Sequence, residues 1–332
     1  MENEQSEKLS TVFDELIQNY GSLRSSLNEI YNESQNIRIL SFNSSIEAAR
    51  AGVAGKGFRV ISNEIKNISE KSDSQNHLCQ EIVDQIETKM RKLIGIRTAE
   101  MAFDTIDKVD RNLFERYCDV QAWATFGKII ACLENPSEEK RISAERTIEN
   151  LVRIYEVYHD IILTDLNGTV LCVGINKNLR GKSMQGKSWF KETLKDKTTT
   201  YTDMYYSESI KDWTVAYSCP VRAPSGEVLG IISTRFNWKF ILNIISNAKV
   251  SYSGEIFIIN KDGLVIASKN KDDILKKRLS TWEAFEHISH GQTMGFYTKK
   301  AAKTLEVFGY AKTPGYNSYQ GKEWSVVIKE NY

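Results

Sequence analysis

Two apolar repeats with a period near 3.5 residues, set on either side of a glycine-rich stretch, constrain this chain more than any other feature. Stepping alternately by four and three from Leu9 meets Phe13, Leu16, Tyr20, Leu23, Leu27, Ile30, Ser34, Ile37, Ser41, Ser44 and Ala48. A second series starts at Phe58 and meets Ile61, Ile65, Ile68, Ser72, Gln75, Cys79, Ile82, Ile86, Lys89, Leu93, Ile96, Glu100 and Phe103. Repeats sustained this long mark coiled-coil seams rather than the faces of ordinary globular helices. Between them, Ala51-Gly52-Val53-Ala54-Gly55-Lys56-Gly57 holds three glycines in six residues, the composition of a tight helix-to-helix reversal. The spacing predicts an antiparallel helical hairpin over residues 1–102 with its tip at 51–58. Each arm is then about 40 residues, ~60 Å at ~1.5 Å per residue. A lone hairpin has one seam to bury, so two copies are expected to pair as a four-helix bundle.

Length and charge narrow the rest. The 332 residues leave room for a second unit beyond the hairpin. Lys plus Arg number 44 against 43 for Asp plus Glu, so no broad basic field exists to hold a nucleic-acid backbone. Mean hydropathy is −0.40, and no run approaches the ~18 apolar residues of a membrane span. The acidic, polar start Met1-Glu2-Asn3-Glu4-Gln5-Ser6-Glu7 is the reverse of a secretory leader. Cys79, Cys118, Cys132, Cys172 and Cys219 are odd in number and contain no Cys-x-x-Cys pair, which fits reduced thiols. These features together predict a cytoplasmic protein. No phosphate-binding loop, nucleophile elbow or His-Glu-x-x-His helix occurs, so neither an enzyme nor a cofactor is expected. His287 and His290 share a predicted helix but lack a third ligand nearby, and no metal is expected there.

Near the turn a second apolar stripe, Ile39, Phe42 and Ile46, lies off the seam, with Glu47 and Arg50 three apart beside it. Apolar residues outside a bundle core, rimmed by charge, read as an interface. Here the sequence resembles a known family. Asn43-Ser44-Ser45-Ile46-Glu47-Ala48-Ala49-Arg50-Ala51-Gly52, then Gly55-Lys56-Gly57-Phe58, then Glu64-Ile65-Lys66-Asn67-Ile68-Ser69-Glu70-Lys71-Ser72 is similar to the signalling tip of methyl-accepting chemotaxis proteins, over roughly residues 30–75. The resemblance implies a homodimer whose tips gather as trimers of dimers and dock a chemotaxis histidine kinase and its coupling adaptor. It places Phe42, Glu47 and Arg50 on the trimer-forming face. The chain departs from the family at Val53, usually acidic, at Asn36-Ile37-Arg38, and at Ser44 and Ser45, usually alanines. Gln80-Glu81 is the one candidate methylation pair in the arms, and its flanks His77 and Asp84 are not small.

Past the hairpin, Leu113, Tyr117, Val120 and Trp123-Ala124 continue an apolar face and predict a long helix over 103–133. Asn135 is then the predicted cap, with Pro136 and Glu138 in the first turn, of a helix reaching Tyr155. Ile161–Asp165 and Thr169–Val173 flank Leu166-Asn167-Gly168, and Ile256–Asn260 and Leu264–Ser268 flank Lys261-Asp262-Gly263, which predicts two β-hairpins. Each is followed by a helical stretch and three strands: near 199–206, 213–222 and 227–236 in one copy, and near 293–299, 304–311 and 323–329 in the other. The repeat predicts two α+β modules, 155–237 and 250–330.

A long helix and two such modules, with Leu113–Gln121, Trp189-Phe190 and the Tyr201–Pro220 strand region, resemble the double Cache sensor domain over about 105–330. The resemblance implies two PAS-like modules over 103–332 and a small molecule held in the first. Trp189, Phe190, Tyr205 and Tyr217 are the expected aromatic wall, with Lys187, Asp203 and Arg235 as charged contacts. Gly55, Gly57 and Phe58 complete the expected partner-binding tip. Arg235 interrupts an otherwise buried strand, where a charge requires a partner or a ligand, and an anionic carboxylate is the expected one. The chain therefore reads as a chemoreceptor-like transducer with its output end first. The rival is a non-catalytic array scaffold or ligand-binding accessory protein that joins receptor clusters without regulating the kinase.

Overall fold

The computed structural model describes residues 2–251, 253–301 and 304–332. The chain divides into two units. The first comprises 1–97 with 298–307 and 331–332, and the second 98–297 with 308–330.

In the first unit, α1 (Glu2–Arg50) and α2 (Lys56–Ala124) are joined by a 3-10 turn at Gly52–Gly55. The arms meet through small and polar groups. Ser41 Oγ donates to Ser62 O (2.5 Å), Ser34 and Ser69 exchange hydroxyl-to-carbonyl bonds (3.2 and 2.8 Å), and Asn76 Nδ2 donates to Leu27 O (2.8 Å). Each contact is seven residues further down one arm and seven back along the other, so the pairing is antiparallel with one buried layer per heptad. The expected large-residue seam is therefore only half right. Phe13 and Leu27 are buried, whereas Leu16, Leu23, Ile30 and Ile37 are exposed. On α2 the buried line is Ser62, Ser69, Asn76 and Val83, not the series from Phe58, of which Ile61, Ile68, Ile82, Ile86 and Leu93 are exposed. Serine hydroxyls that bond to the facing backbone draw the helices together and turn the bulky residues outward. The side chain of Leu9 lies outside the described residues.

The second arm does not end near residue 102, and no separate helix starts at 103: α2 is one helix to Ala124. It closes where the amides of Thr125 and Phe126 bond to Ala122 O and Trp123 O (both 3.1 Å) and the Thr125 hydroxyl also takes Ala122 O (2.7 Å). The separate α3 (Gly127–Glu134) follows. The next cap is Ser137 rather than Asn135. Its hydroxyl accepts from Lys140 N (3.3 Å) at the head of α4 (Glu138–Tyr155), with Glu138 and Glu139 beside the positive end of the helix.

The chain holds two antiparallel sheets, the first within the second unit and the second with residues 298–301, 304–307 and 331 of its strands assigned to the first unit. The first comprises β1 (Tyr158–Asp165), β2 (Val170–Val173), β3 (Thr200–Tyr201), β4 (Tyr205–Ser207), β5 (Asp212–Val215), β6 (Tyr217–Arg222) and β7 (Val228–Asn237), with α5 (Ser188–Asp196) and α6 (Lys239–Ser246). Strand β1 lies between β2 and β7, and β7 pairs onward with β6, which leads to β3, and with β5, which leads to β4. The second comprises β8 (Glu255–Ile259), β9 (Val265–Ser268), β10 (Met294–Ala301), β11 (Thr304–Lys312) and β12 (Ser325–Asn331), with α7 (Glu283–Ser289). Its order β9-β8-β12-β11-β10 repeats β2-β1-β7-β6-β3. The hairpin turns repeat in detail as well. Asp165 Oδ1 accepts from the amides of Asn167 and Thr169, and Asn260 Oδ1 from those of Asp262 and Leu264, before Gly168 and Gly263 at φ 79° and 72°.

Strands β1 and β7 carry the apolar runs Ile161-Ile162-Leu163 and Ile231-Ile232 because both faces are covered there. Ile161, Leu163 and Ile232 face the last turns of α2 with α3 and α4, while Ile162 and Ile231 face α5. Trp123, Trp238 and Trp324 are fully buried, and Trp238 Nε1 donates to Ile266 O (2.8 Å). All five cysteines are free. Among the described residues no helix is long and apolar enough to cross a membrane.

Candidate ligand-binding site

The first sheet carries a cavity of about 910 Å³ on its α5 side. Ile162 of β1 and Arg235 of β7 form the floor, the 176–188 segment and Trp189 one wall, and the 202–211 segment the other. The 176–188 segment is tied down from behind. Arg180 Nη2 lies 2.6 Å from both oxygens of the buried Glu145 on α4, and Lys177 Nζ bonds to Val173 O (2.7 Å) and Glu149 (2.5 Å). Burial works to raise the Glu145 carboxyl, but the bonds from Arg180 and Lys177 outweigh it and hold the group below its usual range.

Arg235 is 6 % exposed. Its Nη1 donates to Ser233 Oγ (2.8 Å) and Thr234 O (2.7 Å), and its guanidinium carbon sits 4.8 Å above the Trp189 ring. No carboxylate among the described residues forms an ion pair with it. Asp160 stands opposite in the β1–β7 register, yet its oxygens accept from the amides of Ile161, Ile175 and Asn176 (2.8–3.0 Å). This buried cation is thus met by neutral acceptors and an aromatic face.

The other expected site residues separate. Lys187, Trp189, Asp203 and Tyr205 line the cavity with Arg235; Phe190 and Tyr217 do not. Phe190 follows Trp189 on α5, is turned by the helix into the core, and meets the Trp189 ring edge-on at 5.9 Å. Tyr217 follows the core-facing Ala216, so strand alternation sends it to the opposite face, stacked on Tyr201 at 5.8 Å. Asp203 does not offer a free carboxylate. Oδ1 accepts from Trp324 Nε1 (2.8 Å) and from its neighbour Met204 N (2.9 Å), and Oδ2 from Asn260 Nδ2 (3.3 Å). Sequence reading missed Asn176, Asn178, Lys182, Glu208 and Lys211, which also line the cavity. They sit in loops without periodicity, and only their density of amide and lysine side chains sets them apart.

In the first unit, the tip residues Ile39, Phe42 and Phe58 are exposed, Phe42 at 66 % and Phe58 at 70 %, and Ile46 at 41 %. Arg50 Nη1 donates to Glu47 Oε1 (2.8 Å) in an open ion pair. A shallow hollow of about 530 Å³ runs between Asn43, Glu47, Ala51 and Phe58. Of the expected turn glycines, Gly52 takes the left-handed conformation (φ 58°), and Gly55 is required because a Cβ there would lie 2.0 Å from Ala48 O. Gly57 is required by neither test: it lies inside α2 with open space around it.

The profile of the Cache domain matches residues 79–332. The chain belongs to the Cache domain family. It is 26 % identical over 131 residues to the methyl-accepting chemotaxis protein McpN of Pseudomonas aeruginosa, covering 40 % of this chain and 23 % of that one. Against the curated relatives it matches, this Cache chain spans less than a quarter of their length. The sensory domain of the Campylobacter jejuni chemoreceptor Tlp3, also solved with isoleucine bound, superposes with a TM-score of 0.59 at 15 % identity, covering 73 % of this chain and 95 % of that one. The ligand-binding domain of the P. aeruginosa amino-acid chemoreceptor PctC, in complex with GABA, gives a TM-score of 0.55 at 18 % identity, over 72 % and 98 %. At these identities the likeness is one of fold. Residues 79–332 thus form a Cache domain.

Proposed function

We propose that this chain is a chemoreceptor-like signal transducer in which a small carboxylate enters the Cache cavity, is gripped by Arg235, and biases the helical tip. The two modules of the second unit are read as a double Cache arrangement and the hairpin as a dimeric coiled coil. The observation that carries the ligand is Arg235, a buried guanidinium without a carboxylate partner among the described residues, backed by Trp189 and facing an open cavity. Its Nη1 is spent on neutral acceptors, which leaves the outer edge of the fork for a carboxylate. The occupied and empty states then differ by the contacts of the 176–188 and 202–211 walls. A ten-to-one change in population needs a difference of about 1.4 kcal/mol between states, the scale of one or two charge-assisted hydrogen bonds. Helix α2 is the route outward, since it is unbroken from Ala124 to Lys56 beside the tip.

The tip, with Phe42, Phe58 and the Glu47–Arg50 pair exposed, is read as the surface for trimers of dimers and for a chemotaxis histidine kinase with its coupling adaptor. That location is cytoplasmic, where such a kinase works. Thermal-shift measurements across small carboxylates test the ligand half: stabilisation of the wild type that vanishes in Arg235→Ala is expected, and equal stabilisation of both proteins removes Arg235 from the role. Co-sedimentation with kinase and adaptor, with phosphorylation read with and without ligand, tests the output half. Val53, fully open at the tip where the resembling family carries an acidic residue, favours one second reading, an array scaffold. Incorporation with unchanged phosphorylation identifies that scaffold.

A further inference from the structure

We propose that the cavity takes small carboxylates that carry no ammonium group and discriminates against α-amino acids of the same skeleton. This rests on the cavity being the ligand site. An ammonium brought into a partly desolvated site needs a free carboxylate or an open aromatic face. In this cavity Asp203 and the Trp189 face are already engaged, which leaves the partly exposed Tyr205 and Tyr206 rings, weaker partners for a cation than an indole.

Two carboxylates line it, Asp203 and Glu208. Asp203 already accepts three hydrogen bonds, from its neighbouring amide and from Trp324 and Asn260 of the second sheet module. Drawing it toward a ligand would strand the indole N–H of Trp324, which is buried, and an orphaned buried donor is costly. Glu208 is exposed in the turn between β4 and β5, where water screens it. Asp160, paired with Arg235 across β1 and β7, spends its oxygens on three backbone amides. The face of Trp189 is already covered by the Arg235 guanidinium, so a second cation there would meet a like charge. Lys182, Lys187 and Lys211 also line the walls but are exposed and screened as Glu208 is, so the buried Arg235 is the charge that sets the preference for an anion. The Tlp3 and PctC domains of similar fold were solved with isoleucine and with GABA, both of which carry an ammonium. The side chains here point to a different ligand class on the same scaffold.

Isothermal titration of the whole chain with matched pairs tests this: 2-oxoglutarate against glutamate, 4-methyl-2-oxopentanoate against leucine, succinate against aspartate, and butyrate against GABA. In every pair that binds, the member without the ammonium is expected to bind about tenfold tighter or more, one like-charge contact being worth at least that. Binding is expected to disappear in Arg235→Ala. Amino acids that bind as tightly as their partners, or tighter, overturn this inference and leave the ligand site standing. Silence across all pairs overturns the ligand site as well. Binding that survives Arg235→Ala unchanged places the ligand elsewhere and overturns the inference too.

Discussion

Asp110 illustrates how a single residue can carry a pH signature in this fold. It is buried on α2, accepts from Thr313 Oγ1 (2.5 Å) and Gly315 N (2.9 Å), and burial, against those two bonds, pushes its carboxyl up to about 6. The folded state thus holds the proton more tightly than the unfolded chain does. Stability from this group is present below the ordinary aspartate range and is lost as pH rises through about 6. Asp110→Asn removes the ionisation while keeping an acceptor. The stability of the variant relative to wild type should rise by about 2–3 kcal/mol between pH 4 and pH 7, read from urea midpoints. A difference that stays flat across that range removes the assignment. Arg235 was readable as anomalous from its strand alone; Asp203 was not, because its partners Trp324 and Asn260 are distant in sequence.

At the scale of elements, the turn between α1 and α2 separates glycines by what surrounds them. A Cβ at Gly55 would press on the carbonyl oxygen of Ala48, which is backbone and cannot step aside, whereas Gly57 meets nothing within 4 Å. Gly55→Ala should destabilise the tip by about 1–3 kcal/mol and speed amide exchange over residues 48–58. Gly57→Ala, in a helix with open space, should be neutral or stabilising by up to about 1 kcal/mol. Equal effects at the two positions would remove the distinction. All three glycines looked alike in the sequence, because a run of glycines advertises a reversal but not which member stands against a neighbour. The β-hairpin turns were legible in both modules, since Asp165-Leu166-Asn167-Gly168 and Asn260-Lys261-Asp262-Gly263 carry their own hydrogen-bonding logic.

For the whole molecule, the decisive feature is what the hairpin leaves open. Leu16, Leu23, Ile30 and Ile37 on α1, and Ile61, Ile68 and Ile82 on α2, are exposed at multiples of the heptad spacing. Each such side chain gains about 1.5–3 kcal/mol when fully buried, enough in sum to drive pairing with a second copy. Sedimentation at micromolar concentration should give twice the chain mass, and Ile30→Glu with Ile37→Glu should return it to one. The cavity should keep its ligand in that monomeric variant. A wild type that sediments as a single chain would leave the exposed stripe without this partner.

Periodicity and turn chemistry were enough to read a helical hairpin, its reversal near residue 52 and a duplicated α+β module, because such patterns depend on neighbours three, four or two residues away. Depth in the fold was another matter. Tyr217 and Phe190 left the cavity by one step of a strand and one of a helix, and the arms closed on serines as well as on Phe13 and Leu27. The commitment of Asp203 to the second sheet module, like the neutral surroundings of Arg235 among the described residues, depends on which groups distant in the chain arrive beside each other. Local spacing sets which face a side chain can take, and packing against remote segments sets what waits there.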